Sequence, residues 1–361
     1  MTALPPATDV EHLLIDGPTS TARGAYRNII LPAEQAAALS KDDKSNLIHA
    51  RVVGYLLLYP PSQEARGILA REIVSCERKR VNERHEAVFA LGAMYLRHLI
   101  CIFRQSRGKT PIPSSHPSRP SFDRAMEECL QDLQRAPQNH SSAKASALVR
   151  DNHRCMVTGL PDYQALSLNL TPALPNNDFA MTQCSHIFPE VWGNIVIGGS
   201  AANEKEAATS WNTLKRFGCA DVSAELGSAT QGANLHRLEN ILTLDVRIHL
   251  LFDAMNLWFE AVMDQPNCYN VKLAPNRPGR PPFIPERVQF VSHRPELPLP
   301  SPRYLEVHAA CCRVAHMSGA AEYLDLIYRH MEELEVLANN GVSADVLTFA
   351  LHRRLAVVDP V

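Results

Sequence analysis

Residues 239–253 read ENILTLDVRIHLLFD. The run Ile241 to Leu244 (ILTL) has the length and apolar content of a short strand. Asp245 is a good helix N-cap, and Val246 to Ala254 follows as a short helix. His249 and Asp253 are four positions apart and project from one helical face. Asn240 stands at the mouth of the strand. Upstream, Ala180 to Phe188 reads as another short strand, halted by Pro189, with His186 near its end in the stretch Ser185 to Pro189 (SHIFP).

Outward from this segment the texture changes. Arg154 to Thr158 (RCMVT) is β-like and ends at Gly159, a turn signal. Leu257 to Val262 and Tyr269 to Leu273 predict a closing β-hairpin. The flanks are helical: Lys44 to Leu58 and Ser62 to Arg107 repeat apolar residues at helical spacing. Phe122 to Arg135 predicts one more amphipathic helix. Gly108 to Pro120 (GKTPIPSSHPSRP) can hold neither helix nor central strand and reads as a linker. Ser142 to Arg150 leads into the β-like region, and Ala201 to Phe217 reads as partly helical. Beyond a proline-rich stretch, Tyr304 to Met317, Ala320 to Leu337 and Ser343 to Ala356 predict three tail helices. No internal repeat is present.

Composition fits a folded chain able to bury a core: 45% hydrophobic and 20% charged over 361 residues. No apolar run reaches the ~20 residues needed to span a bilayer. The N-terminus (MTALPPATDVEHLL) has no basic stretch followed by an apolar core, so no secretory signal is expected. The nine cysteines are scattered and odd in number, which fits an intracellular chain; nucleus or cytoplasm is left open. The net charge of -2 hides an asymmetry. From Arg66 to Arg119 there are eleven Lys/Arg against four Asp/Glu, and from Arg150 to Glu260 seven against twelve. A basic segment beside an acidic one suits a phosphate-binding surface next to a cation site, or solvated helix faces of uneven charge. Arg78, Lys79, Arg80 and Arg84, expected on a helix, carry the same two readings.

The succession RCMVTG, SHIFP and N-x8-H-x-x-F-D resembles the HNH endonuclease domain in the version found in fungal proteins of unassigned role. The resemblance covers about residues 148–275. It implies an α+β fold: a mostly helical chain with a central ββα-metal (HNH-like) domain and a small β-hairpin. It also implies hydrolysis of phosphodiester bonds in nucleic acid, DNA in the first instance, with a divalent cofactor and no membrane. Mg²⁺ or Mn²⁺ suits a sparse N/O site, with Zn²⁺ or Ni²⁺ as alternatives. In the family pattern the first histidine is the general base on water, here His186; an unshifted pKa near ~6.5 suits that task. The asparagine orients that histidine through its amide and fixes the loop, here Asn240. The helix histidine binds the ion, here His249, with Asp253 as second ligand one turn on. The catalytic set is therefore His186, Asn240 and His249, and the metal set His249 and Asp253. The nine-residue interval from Asn240 to His249 fits a strand–turn–helix that closes back on the His186 strand.

The chain departs from the family pattern in three ways. Ser185 precedes the base, where many members carry an acidic residue or histidine that helps ligate the metal. Residues 190–239 lengthen the interval between His186 and Asn240. Paired C-x-x-C knuckles are absent, so a structural zinc is not expected. The expected partition is a poorly ordered segment 1–45, a helical region 46–145, the HNH-like domain 146–275 with insertion 190–239, a proline-rich connector 276–302, and a helical region 303–361. The rival function is an HNH scaffold that binds DNA or protein without cutting.

Other residues have plainer readings. Asp253 also suits helix C-terminal punctuation, and Glu239 and His236 read as solvent-facing. Asp245 is an N-cap, and Trp258 and Phe259 pack the closing strand. His308, Cys312 and His316 share a helical face, read as a packed helix with small buried cysteines. Cys184 and His186 share a strand face without the orienting third residue that a nucleophilic pair needs.

Overall fold

The computed structural model describes residues 1–14, 21–39, 44–80, 83–104, 140–189, 210–227, 233–275 and 279–333. The linker 108–120, the helix expected at Phe122 to Arg135 and the helix expected at Ser343 to Ala356 lie outside them. The chain divides into two compact units. The first joins Met1–Ile102, Asn194–Gly227 and Ala309–Val361; the second joins Phe103–Gly193 and Ser228–His308. Among the described residues no helix is long and apolar enough to cross a membrane.

The first unit is helical. In the segment 1–45, expected to be loosely ordered apart from a short helix around Ala33 to Leu39, that helix is Leu31–Leu39, and further helices stand at Ala7–Val10 and Thr21–Ala25. A buried carboxylate fixes it: Glu34 Oε1 accepts from Leu4 N at 3.1 Å and from Arg51 Nε at 2.7 Å. The helix Lys44–Leu58 lies where the apolar spacing puts it. Its crossing with Arg84–Tyr95 is close because Gly92 has no side chain; a Cβ there would stand 2.1 Å from His49 O. The long helix expected from Ser62 breaks at Glu77 and resumes at Arg84. Arg78, Lys79 and Arg80 therefore follow the helix end, exposed, rather than lying along a helix. From the insertion, residues 210–216 and Ala220–Leu226 are helical and belong to this first unit.

The second unit holds both sheets. Strand β1 (Thr182–His186) pairs antiparallel with β2 (Ile241–Asp245), His186 facing Ile241 and Thr182 facing Asp245. The helix Val246–Asp253 follows β2 directly. Together they are the strand–strand–helix order predicted from residues 180–254. The expected hairpin forms as β3 (Leu257–Ala261) and β4 (Cys268–Leu273), and β5 (Arg287–Gln289) adds a third strand out of the proline-rich connector. Phe259, Tyr269 and Phe290 pack together at ring separations of 4.9 to 6.3 Å, which covers this sheet's apolar face.

The RCMVT segment is not a strand. Only Arg154 bridges, to Pro161, and the residues between are turns. Two successive left-handed residues, Asn152 (φ 51°) and His153 (φ 56°), turn the chain before it can extend, and Gly159 (φ 70°) turns it again. The knuckle still serves the hairpin. The buried Cys155 Sγ accepts from Asp245 N at 3.2 Å, and Met156 N donates to Thr243 O at 2.9 Å. The thiol thus satisfies a backbone donor at the end of β2.

Candidate functional site

The hairpin β1–β2 sorts its side chains by alternation. Gln183 and Ser185 point to one face, and Cys184 and His186 to the other.

The first face meets the helix Val246–Asp253. Asp245 caps that helix as expected, accepting from Arg247 N at 2.9 Å, and also holds Arg247 Nε at 2.9 Å. That contact raises the Arg247 pKa above its ordinary value. One turn on, His249 Nδ1 lies 2.5 Å from Gln183 Oε1, and His249 Nε2 lies 3.1 Å from Asp253 Oδ2. An amide oxygen only accepts, so Nδ1 donates to it. In a neutral ring Nε2 is then a bare lone pair facing a carboxylate. Two acceptors at that distance repel unless a proton or a metal ion lies between them. Ligand atoms at about 2.0–2.2 Å from one ion, at right angles, stand about 3 Å apart. Asp253 Oδ1 is buried without a hydrogen-bond partner, and so is Ser185 Oγ, at the position where the family pattern often has a ligand. The donor set fits a divalent cation.

The second face meets the helix His140–Arg150. Cys184 packs with Ala143 and Ala147 of that helix and with Ile241 and Leu238. His186 is 5% exposed, so its ring faces no open cleft. His186 Nε2 is 3.1 Å from His236 Nδ1, and the His140 ring centre lies 5.7 Å from that of His186. Burial pushes the His186 pKa well below its ordinary value, and the charges available to His236, His140 and His249 push it further down. The ring is neutral at pH 7, the state in which an imidazole accepts a proton.

Asn240 is fully buried, and its amide is fully used. Oδ1 accepts from Phe188 N at 2.8 Å; Nδ2 donates to Phe188 O at 3.0 Å and to Leu235 O at 2.8 Å. The amide therefore fixes the loop, as expected, but not the ring of His186, contrary to the expectation. His236 supplies the contact to that ring. It is half-buried in the short helix Ala233–His236, not the solvent-facing residue its sequence neighbourhood suggests. Asn240 sets its position by binding the carbonyl of Leu235 one residue earlier.

Three further residues escape sequence reasoning. Gln183 and His140 have no motif. Arg150, at the C-terminus of its helix, is fully buried; it binds Asp151 Oδ1 and Oδ2 at 2.7 and 2.8 Å and donates to Leu238 O and Ile241 O, both at 3.0 Å. A buried charge holding the carbonyls on either side of Asn240 leaves no periodic signal.

The plainer readings of several residues agree with the structure. Trp258 and Phe259 are buried in the sheet. His308 stacks on Phe252 at 4.1 Å. Glu239, read as solvent-facing, is instead half-buried and pairs with Arg237 at 2.7 Å. Among the described residues the one group of three or more His, Cys, Asp or Glu side chains spaced for a metal is His140, Cys184 and His186.

Neither the curated proteins nor the solved structures contain a match to this chain. A family model described as HNH endonuclease matches residues 155–260, the span that holds both strands of the hairpin, Asn240, His249 and Asp253. HNH domains generally bind a divalent metal and act on or bind nucleic acid, and the chain carries an HNH endonuclease domain.

Proposed function

We propose that the chain is a metal-dependent endonuclease that hydrolyses phosphodiester bonds of DNA with His186 as general base. The observation that carries this reading is the pairing of His249 Nε2 with Asp253 Oδ2, with the other ring nitrogen tied to Gln183. A histidine ligand whose second nitrogen donates to a carbonyl is the arrangement that fixes a metal-binding tautomer.

His249 and Asp253 would hold the ion, with Mg²⁺ or Mn²⁺ matching their N/O chemistry. When bound, such an ion supplies Lewis-acid stabilisation of charge on the scissile phosphate. The remaining work falls to the chain's own groups. His186, kept neutral by burial, takes a proton from the attacking water. His236, hydrogen-bonded to the Nε2 of His186, selects which ring nitrogen carries the proton. Asn240 locks the turn after β1, so that the last residue of the strand cannot swing.

The test is cleavage of plasmid and of single-stranded DNA with Mg²⁺, Mn²⁺, Ni²⁺ or Zn²⁺. His186→Ala should abolish cutting and spare metal binding; His249→Ala should weaken both. Both variants cutting like the parent would refute the assignment.

One observation favours a second reading, a scaffold that binds DNA or protein without cutting: the ring of His186 is almost wholly covered. Divalent-ion binding together with nicking by the parent excludes it; neither occurring supports it.

A further inference from the structure

The face of the hairpin away from His249 carries its own donor set. One ligand atom each from His140, Cys184 and His186 lies within 4.8 Å of the other two. His236 Nδ1 stands 3.1 Å from His186 Nε2, beside this group. These residues come from three places: the first turn of the helix His140–Arg150, alternate positions of β1, and the short helix Ala233–His236. None of them takes part in the His249–Asp253 pair.

We propose that His140, Cys184 and His186 form a second metal site that takes a zinc-class ion. The donor chemistry separates it from the first site. Imidazole and thiolate select zinc, cobalt or copper, whereas carboxylate and water suit magnesium. The geometry agrees in scale. Tetrahedral donors at about 2.0–2.3 Å from one ion stand about 3.5 Å apart. The present spacings, all within 4.8 Å, are of that order, and His140 is exposed at the start of its helix. Cys184 is in no disulfide. On binding, its S–H bond breaks, a metal–sulfur bond forms and the proton passes to solvent, with no change of oxidation state.

Occupation has a consequence for the first site. A metal on His186 takes the lone pair that the base needs, so zinc held here would stop cleavage without taking a ligand from the His249–Asp253 pair. This consequence rests on the reading of His186 as base; the site itself does not.

The experiment is a Co²⁺ titration of the full chain after removal of metals. A thiolate-to-cobalt charge-transfer band in the near ultraviolet should grow to one equivalent and be displaced by Zn²⁺. His140→Ala should weaken the band's half-saturation at least tenfold, Cys184→Ala should remove the band, and His249→Ala should retain it. No band in the parent, or a band that survives Cys184→Ala, overturns the proposal. Cys184 is buried, so an unfolded Cys184→Ala protein is a foreseeable outcome; the comparison of His140→Ala with His249→Ala then decides, and equal effects of the two refute the site. A second arm measures Mg²⁺-driven nicking with and without zinc. The zinc-to-no-zinc rate ratio should fall at least tenfold in the parent and stay near one in His140→Ala. A parent that never nicks but shows the band loses the nuclease reading and keeps the second site.

Discussion

His186 Nε2 lies 3.1 Å from His236 Nδ1, a contact between the last residue of β1 and a residue fifty positions later in the chain. Two neutral imidazoles can share one proton between them, so this pair fixes a tautomer without needing a carboxylate. It also sets a pH dependence. His186 accepts a proton only while neutral, and its pKa is held well below ~6.5 by burial first and by His236, His140 and His249 after that. The acidic limb of kcat/KM for DNA cleavage should therefore fall below pH ~6.5. His236→Gln keeps a hydrogen-bonding side chain but removes a charge that lowers the His186 pKa, so the limb should move up in pH. A parent limb above ~6.5, or no movement in the variant, would contradict the assignment of His186 as base.

Gln183 offers a separate test of the metal pair. Its Oε1 accepts from His249 Nδ1 at 2.5 Å, the ring nitrogen opposite the proposed ligand atom Nε2. Losing a hydrogen bond of this kind weakens metal affinity about 10–100-fold. Gln183→Ala should therefore raise the Mn²⁺ dissociation constant by that factor, read by calorimetry or by the electron paramagnetic resonance of free Mn²⁺. Asp253→Asn, which removes a charge, should cost at least as much. If Gln183→Ala binds Mn²⁺ like the parent, the ring is not held by this bond when metal is present.

The sequence made the hairpin and its helix legible because their signals are local. A short strand halted by Pro189, an apolar run over 241–244, an N-cap at Asp245 and a four-residue interval from His249 to Asp253 each act within one turn or one strand. What it concealed depends on distant returns of the chain. His140, His236 and Gln183 acquire meaning only once the helix His140–Arg150, the short helix before Asn240 and the site helix pack on opposite faces of one hairpin. Arg154 to Thr158 misled because its β-branched residues favour a strand. Backbone turns at Asn152, His153 and Gly159 overrule that preference, and a thiol rather than a ladder partner meets β2. The asparagine's role shifted for a related reason: its three hydrogen bonds are all to backbone of residues 188 and 235, which no spacing in the sequence could reveal.

His308 predicts how stability responds to acid. It is fully buried, stacked on Phe252, and burial lowers its pKa to about 3. The unfolded chain takes up this proton near pH ~6.5, while the folded chain does so only near pH 3. Between those values the unfolded state binds more protons, so stability is full above pH ~6.5 and falls as pH drops, by about 1.4 kcal/mol per unit. From pH 7 to 5 the loss from this residue is about 2 kcal/mol. His308→Phe keeps an aromatic ring against Phe252 and removes the titration. Urea midpoints at pH 7 and 5 should therefore converge in the variant relative to the parent; equal pH sensitivity in both would show that His308 opens to solvent well before global unfolding.

Arg150 joins stability to the site. Its guanidinium is wholly buried, neutralises Asp151, and binds the carbonyls of Leu238 and Ile241, the residues that bracket Glu239 and Asn240. Replacing it with methionine fills much of the volume but strands a buried carboxylate and at least two carbonyls. Breaking a buried pair from one side costs about 3–5 kcal/mol, whereas replacing both partners with apolar groups costs far less. Arg150→Met should therefore lower the unfolding free energy by about that amount, and Arg150→Met with Asp151→Leu should recover part of it. Cleavage should not recover in the double variant. With the Leu238 and Ile241 carbonyls released, the turn that carries Asn240 loses its tether, and His236 moves out of register with His186. A double variant that regained both stability and activity would mean that Asn240 alone holds the turn, and that Arg150 serves the fold without serving the site.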